Sequence, residues 1–180
     1  MSFFTIPNVV SYLRFILTLI SILCFYFFSC KFLTLFLFLI LAITDFLDGY
    51  LARLLGQESL IGELIDPLVD KIAISTFLIL VVQSYPCNYI TVPIMFIICR
   101  EIFVSSLREF YSKQYNYRMK VSYFGKTKTF FQILSIIFFL LDLTKFVVAY
   151  KFGILFLYFS LVPSLISMML YTLPLYRKEF

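Results

Sequence analysis

Charged residues stand far apart along this chain, and the stretches between them are almost wholly apolar. Sixteen uncharged residues separate Arg14 from Lys31, and thirteen more separate Lys31 from Asp45. These runs predict two hydrophobic helices joined by a tight turn at Ser29-Cys30-Lys31. No charge occurs from Ile72 to Cys99, but Ser84-Tyr85-Pro86-Cys87-Asn88 breaks that run into a third and a fourth segment. A fifth is expected from about Lys128 to Leu141 and a sixth from about Phe152 to Tyr171. A crossing takes about 20 apolar residues, so several of these runs must carry charges at their ends into the membrane. The pattern predicts an all-α membrane protein with six transmembrane helices in one domain over residues 1–180. Pro7 suits the first turn of an N-terminal helix lying at the interface and leading into the first crossing.

Composition closes the other classes. Hydrophobic residues make up 62% of the chain and charged residues 14%, against about 25% charged in a soluble domain. The 24 Phe and 13 Tyr exclude a disordered chain. There is no histidine, which removes a histidine base, a histidine metal ligand and any Ser-His-Asp triad. The four cysteines lack CxxC spacing and read as small hydrophobes, not as a disulfide framework or a zinc site.

Charge sets the orientation. Arg108, Lys113, Arg118, Lys120, Lys126 and Lys128 lie between the fourth and fifth segments, and Arg177 and Lys178 follow the sixth, whereas the opposite loops hold Lys31, Lys145 and Lys151. Both termini, the loop from Arg53 to Leu64 and the basic loop are therefore expected on the cytoplasmic side of the cell (inner) membrane. The first residues lack a basic n-region and no small-x-small site follows the first segment, so no cleaved signal peptide is expected.

Six of the ten acidic residues fall between Asp45 and Asp70, although most of that window reads as helix at membrane depth. A carboxylate at that depth is costly and normally faces a cavity, a metal or a partner. Asp45 and Asp48 are three apart and Asp66 and Asp70 four apart, so each pair shares a helix face. Counted from the outer ends of the second and third segments, Asp45 and Asp70 lie equally deep, each ~21 Å in at 1.5 Å per residue. Asp48 and Asp66 fall a turn nearer the cytoplasm. In antiparallel neighbours Asp45 would face Asp70, and Asp48 would face Asp66. Four converging carboxylates need divalent cations, and all-oxygen ligands suit magnesium or manganese at a one- or two-metal site. Gly49 and Ala52 lie on or near the same face, where small side chains let a bulky ligand approach, and Arg53 places a cation where a phosphate could bind. Taken singly, each piece has a plainer reading: a lone Asp as a proton relay or a partner of Lys71, Gly49 and Ala52 as a packing notch.

The complete string is Asp45-x-x-Asp48-Gly49-x-x-Ala52-Arg53, eight residues, then Gly62-x-x-x-Asp66-x-x-x-Asp70. It resembles the signature of the CDP-alcohol phosphatidyltransferase family, with every fixed position filled. The resemblance implies six transmembrane helices, a homodimer, and a cytoplasm-facing cavity for two metal ions and CDP-diacylglycerol. The implied reaction transfers a phosphatidyl group to an alcohol and releases CMP. On this reading Asp45, Asp48 and Asp66 are metal ligands and also border the CDP-diacylglycerol pocket shaped by Gly49, Ala52, Arg53 and Gly62. Asp70 is the expected general base, a metal ligand, or both, and spacing does not separate these roles.

Further stretches are similar to the family branch that makes phosphatidylglycerophosphate: Ile6-Pro7-Asn8 with Ser11 and Arg14, Arg100-Glu101-Ile102, Leu107-Arg108-Glu109, and Gly125-Lys126-Thr127-Lys128-Thr129 with Gln132. Leu19 stands where family members often have a proline, which bears on the shape of the first helix. The acceptor implied is glycerol 3-phosphate, a small dianion that a cationic pocket favours over uncharged alcohols. Arg100, Arg108, Lys126 and Lys128 are the candidate phosphate ligands, although flanking cations are common in membrane proteins and Arg100 could instead form an internal ion pair with Glu101. A cardiolipin synthase of the CDP-diacylglycerol type and an inositol-phosphate-using relative share the scaffold. An ion or proton transporter is the rival from another class, without an inverted repeat to support it.

Overall fold

The computed structural model describes residues 6–55, 60–115, 123–146 and 148–177, and the regular structure among them is entirely helical. Six helices follow in order: α1 (Ile6–Tyr26), α2 (Lys31–Leu55), α3 (Leu60–Ser84), α4 (Asn88–Tyr115), α5 (Tyr123–Leu143) and α6 (Ala149–Arg177). Their breaks have local causes. Between α1 and α2, Ser29 takes a left-handed backbone (φ 50°), and the Cys30 amide reaches back to the Cys24 carbonyl at 3.2 Å. Pro86 separates α3 from α4, and the Cys87 carbonyl accepts the first amides of the new helix, from Ile90 and Thr91. Lys145 makes the second left-handed turn (φ 79°), ahead of α6.

These breaks match the expected turns, while helix lengths differ from the expected segments. Pro7 falls in the first turn of α1 itself, and α1 continues unbroken to Tyr26, so no separate interfacial helix forms among the described residues. The helix also passes straight through Leu19, where a proline would have removed a backbone hydrogen bond. α5 starts at Tyr123 and takes in Lys126 and Lys128, because the buried Lys128 is paired with Glu101 and need not stop the helix. Stretches within α1, α4 and α6 (Val9–Tyr26, Asn88–Ser112 and Ala149–Thr172) are long and apolar enough to cross a membrane.

The chain divides into two compact units, one of residues 1–80 with 137–150, the other of residues 81–136 with 151–180. In the first, α1 packs on α2, and Phe38 of α2 meets Phe77 of α3 with ring centroids 4.5 Å apart. In the second, Ile90, Ile94 and Ile97 of α4 are buried, and Phe131 of α5 stacks near Phe156 and Phe159 of α6.

Each unit has a helix that is polar inside and apolar outside. On α1, Ser11, Arg14, Thr18 and Ser21 are buried while Leu13, Ile16, Leu19, Ile20 and Leu23 are exposed. On α6, Ser160, Ser164 and Ser167 are buried while Val162, Leu165, Ile166, Met169 and Leu170 are exposed. Water would disfavour such an arrangement, and lipid favours it, because small polar residues bring helices close and apolar ones meet the acyl chains. The chain is an integral membrane protein. Its four cysteines are unpaired, and of these Cys24 is buried whereas Cys30 and Cys99 are exposed.

Candidate active site

The first unit gathers charge around α1. Arg14 is buried, and its Nη1 donates to Asp45 Oδ1 of α2 at 2.8 Å and to Asp70 Oδ1 of α3. One turn earlier on α1, the buried Ser11 hydroxyl donates to Asp66 Oδ1 of α3. Thr18, one turn later, closes its hydroxyl onto the Arg14 carbonyl at 2.8 Å. Three aspartates from two helices therefore meet one polar stripe of α1, whose residues Ser11, Arg14, Thr18 and Ser21 recur at helical spacing.

This arrangement fixes the register. Asp45 and Asp70 share one guanidinium nitrogen, so they lie at one level, as counting from the helix ends predicts. Phe38 stands seven residues before Asp45 and Phe77 seven after Asp70, and their ring contact holds the same antiparallel pairing. Asp66 lies a turn away on Ser11, at the level expected for Asp48. Pro67 sits between the two α3 aspartates and lacks the amide that would bond to the preceding turn. Asp48, Gly49, Ala52 and Arg53 lie on the C-terminal turns of α2 and Gly62 on the first turn of α3; their side chains lie outside those described.

The site is open on its acidic side. The Arg14 side chain is 5% exposed, whereas Asp45 is 48% and Asp70 39% exposed. Two carboxylate oxygens from different helices meeting at one point, on side chains that stay partly exposed, make an oxygen donor set that suits a hard divalent ion such as magnesium or manganese. Among the described residues no three acidic or cysteine side chains already form a cage.

The family model for CDP-alcohol phosphatidyltransferases matches residues 4–170. The chain belongs to the CDP-alcohol phosphatidyltransferase family. Similar proteins in bacteria carry the name CDP-diacylglycerol–glycerol-3-phosphate 3-phosphatidyltransferase. That of Wigglesworthia glossinidia brevipalpis is 35% identical over 178 residues, covering 97% of both chains. That of Blochmanniella floridana is 42% identical over 136 residues, 75% of this chain and 70% of its own. The Haemophilus influenzae protein is 37% identical over 136 residues, 74% of each.

The remaining expected residues of this CDP-alcohol phosphatidyltransferase lie in the second unit. Arg100 of α4 is buried, with Nε donating to the Ser164 carbonyl of α6 at 3.1 Å, Nη2 to the Ser167 hydroxyl, and Nη1 to Glu101 at 3.1 Å. Lys128 of α5, also buried, donates to the same Glu101 oxygen, Oε2. The structure pairs Arg100 with Glu101 and adds Lys128 to that ion pair. Arg108 lies over the Tyr171 ring, 5.8 Å from its centroid, and Lys126 is exposed. Sequence reasoning gave no role to Arg14 and Ser11 beyond the resemblance, and none to Glu101 beyond a neighbour of Arg100. The first two were detectable as polar positions recurring on one face of an otherwise apolar helix.

Proposed function

We propose that the protein transfers the phosphatidyl group of CDP-diacylglycerol to glycerol 3-phosphate, giving phosphatidylglycerophosphate and CMP. The observation that carries this reading is the convergence of Asp45, Asp66 and Asp70 within a chain whose relatives bear that enzyme's name. Asp45, Asp48, Asp66 and Asp70 would hold one or two divalent ions, magnesium or manganese, which supply charge neutralisation at the diphosphate. Gly49, Ala52, Arg53 and Gly62 border the CDP-diacylglycerol head group, small side chains admitting it and the arginine pairing with phosphate. Asp70 takes the proton of the acceptor hydroxyl, whose oxygen forms a bond to the lipid-bearing phosphorus as the bond from that phosphorus to the CMP oxygen breaks. Arg100, Arg108, Lys126 and Lys128 would bind the acceptor phosphate; Lys126 is exposed, Arg108 lies over the Tyr171 ring, and Arg100 and Lys128 pair with Glu101.

The enzyme is a single membrane domain of six crossings acting as a homodimer, with its active site and both termini on the cytoplasmic face of the inner membrane. The excess of lysine and arginine between the fourth and fifth helices supports that orientation. The test is CMP release by purified protein with CDP-diacylglycerol and magnesium, comparing glycerol 3-phosphate, phosphatidylglycerol, inositol phosphate and serine. Release with glycerol 3-phosphate alone is expected. Release with phosphatidylglycerol would instead make it a cardiolipin synthase, and no release with any acceptor would reopen an ion-transport role.

A further inference from the structure

We propose that Arg14 is the exchangeable counter-charge of the acidic site, holding Asp45 and Asp70 together in the ion-free protein and yielding the same carboxylate oxygens when a divalent cation binds. The inference rests on the metal reading of the aspartates given above. Its geometric basis is that a single nitrogen, Arg14 Nη1, meets Oδ1 of both Asp45 and Asp70, which come from different helices. A guanidinium and a metal ion that draw on the same lone pairs oppose each other, and cationic repulsion adds to that opposition. Burial gives the exchange a direction. The arginine lies inside, 5% exposed, while Asp45 and Asp70 keep 48% and 39% of their surface open. An ion can therefore approach the carboxylates from the side opposite Arg14. On α1 itself, the buried neighbours of Arg14 one turn either way are Ser11 and Thr18, so the arginine lies in a polar stripe of the helix. Asp66 is held separately by Ser11, so it stays in place while the other two change partner. Arg14 is thus a positioning residue that sets how tightly the site takes its ion.

Manganese binding to the purified full-length protein in detergent, followed by electron paramagnetic resonance, tests this without reference to turnover. Arg14→Gln should bind manganese about tenfold tighter than the unaltered protein, since one opposing charge is gone. Arg14→Lys, which keeps the charge but draws its nitrogen back from the two carboxylates on a shorter side chain, should bind about threefold tighter. In EDTA the Gln variant should melt at a lower temperature than the unaltered protein, and saturating manganese should close that gap. Equal or weaker manganese binding in both variants, with clear binding by the unaltered protein, would overturn the role of Arg14 alone. Absence of manganese binding by the unaltered protein would overturn the metal reading and this inference with it. Should Arg14→Gln not remain folded, Arg14→Lys decides by the same comparison.

Discussion

The two units each hold a buried charged cluster, built in opposite senses. In the first, a buried arginine is ringed by aspartates that are roughly half open, Asp45 at 48% and Asp70 at 39%. In the second, two buried cations, Arg100 and Lys128, close on one carboxylate, Glu101, that is 23% exposed. The number of helices joined is the same, since α1, α2 and α3 meet in one and α4, α5 and α6 in the other. What differs is which sign faces outward. An open carboxylate can take a cation at little cost, whereas a cation enclosed by its own carboxylate and by the Ser164 carbonyl already has its partners. The contrast is the basis for proposing ligand chemistry at the first cluster and helix locking at the second.

The most severe break in that contrast comes from the first cluster. Asp66→Asn and Asp70→Asn should each lower CMP release about a thousandfold or more, the scale of losing a ligand or a base, while the protein still inserts and purifies as before. Near-normal release from either variant would remove the aspartates from the chemistry. The second cluster should answer in stability instead. Glu101→Gln leaves two buried cations short of a counter-charge and should cost about 2 kcal/mol, read as a lower midpoint of thermal unfolding in detergent. A change in glycerol 3-phosphate KM without loss of stability would show that Glu101 serves the acceptor and not the fold.

Smaller effects sharpen the division. Lys126→Ala should raise the KM for glycerol 3-phosphate about tenfold with kcat little changed, as expected for loss of one exposed phosphate contact. Ser11→Ala removes the hydroxyl on Asp66 and should lower kcat/KM about fivefold, the worth of one hydrogen bond of about 1 kcal/mol. An effect of Ser11→Ala as large as that of Asp66→Asn would mean the hydroxyl does more than hold the carboxylate.

Much of the first cluster is legible in the sequence because one-dimensional spacing carries it. Counting residues from Lys31 and from Ser84 sets Asp45 level with Asp70, and the shared guanidinium shows them at that level. The turns at Ser29 and Pro86 follow from local chemistry and fall where expected. What spacing cannot give is the partner across helices. The polar stripe of Ser11, Arg14, Thr18 and Ser21 says that one face of α1 turns inward, but not that Arg14 would bridge two helices. From sequence, Lys128 reads as an acceptor-phosphate ligand or a flanking cation, because hydropathy treats any lysine near a helix end as a boundary. Its burial follows from Glu101, which lies 27 residues earlier and meets it only through packing. The roles of Gly49, Ala52, Arg53 and Gly62 rest on the signature alone, since their side chains lie outside those described.

The measurement closest to the centre is a metal titration of phosphatidyl transfer. Purified protein stripped with EDTA would be given CDP-diacylglycerol and labelled glycerol 3-phosphate, and label entering the lipid phase would be followed as magnesium or manganese is added. The expected result is no transfer in EDTA and saturable recovery with either ion. Undiminished transfer by the fully stripped protein would contradict a carboxylate-held cation at Asp45, Asp66 and Asp70.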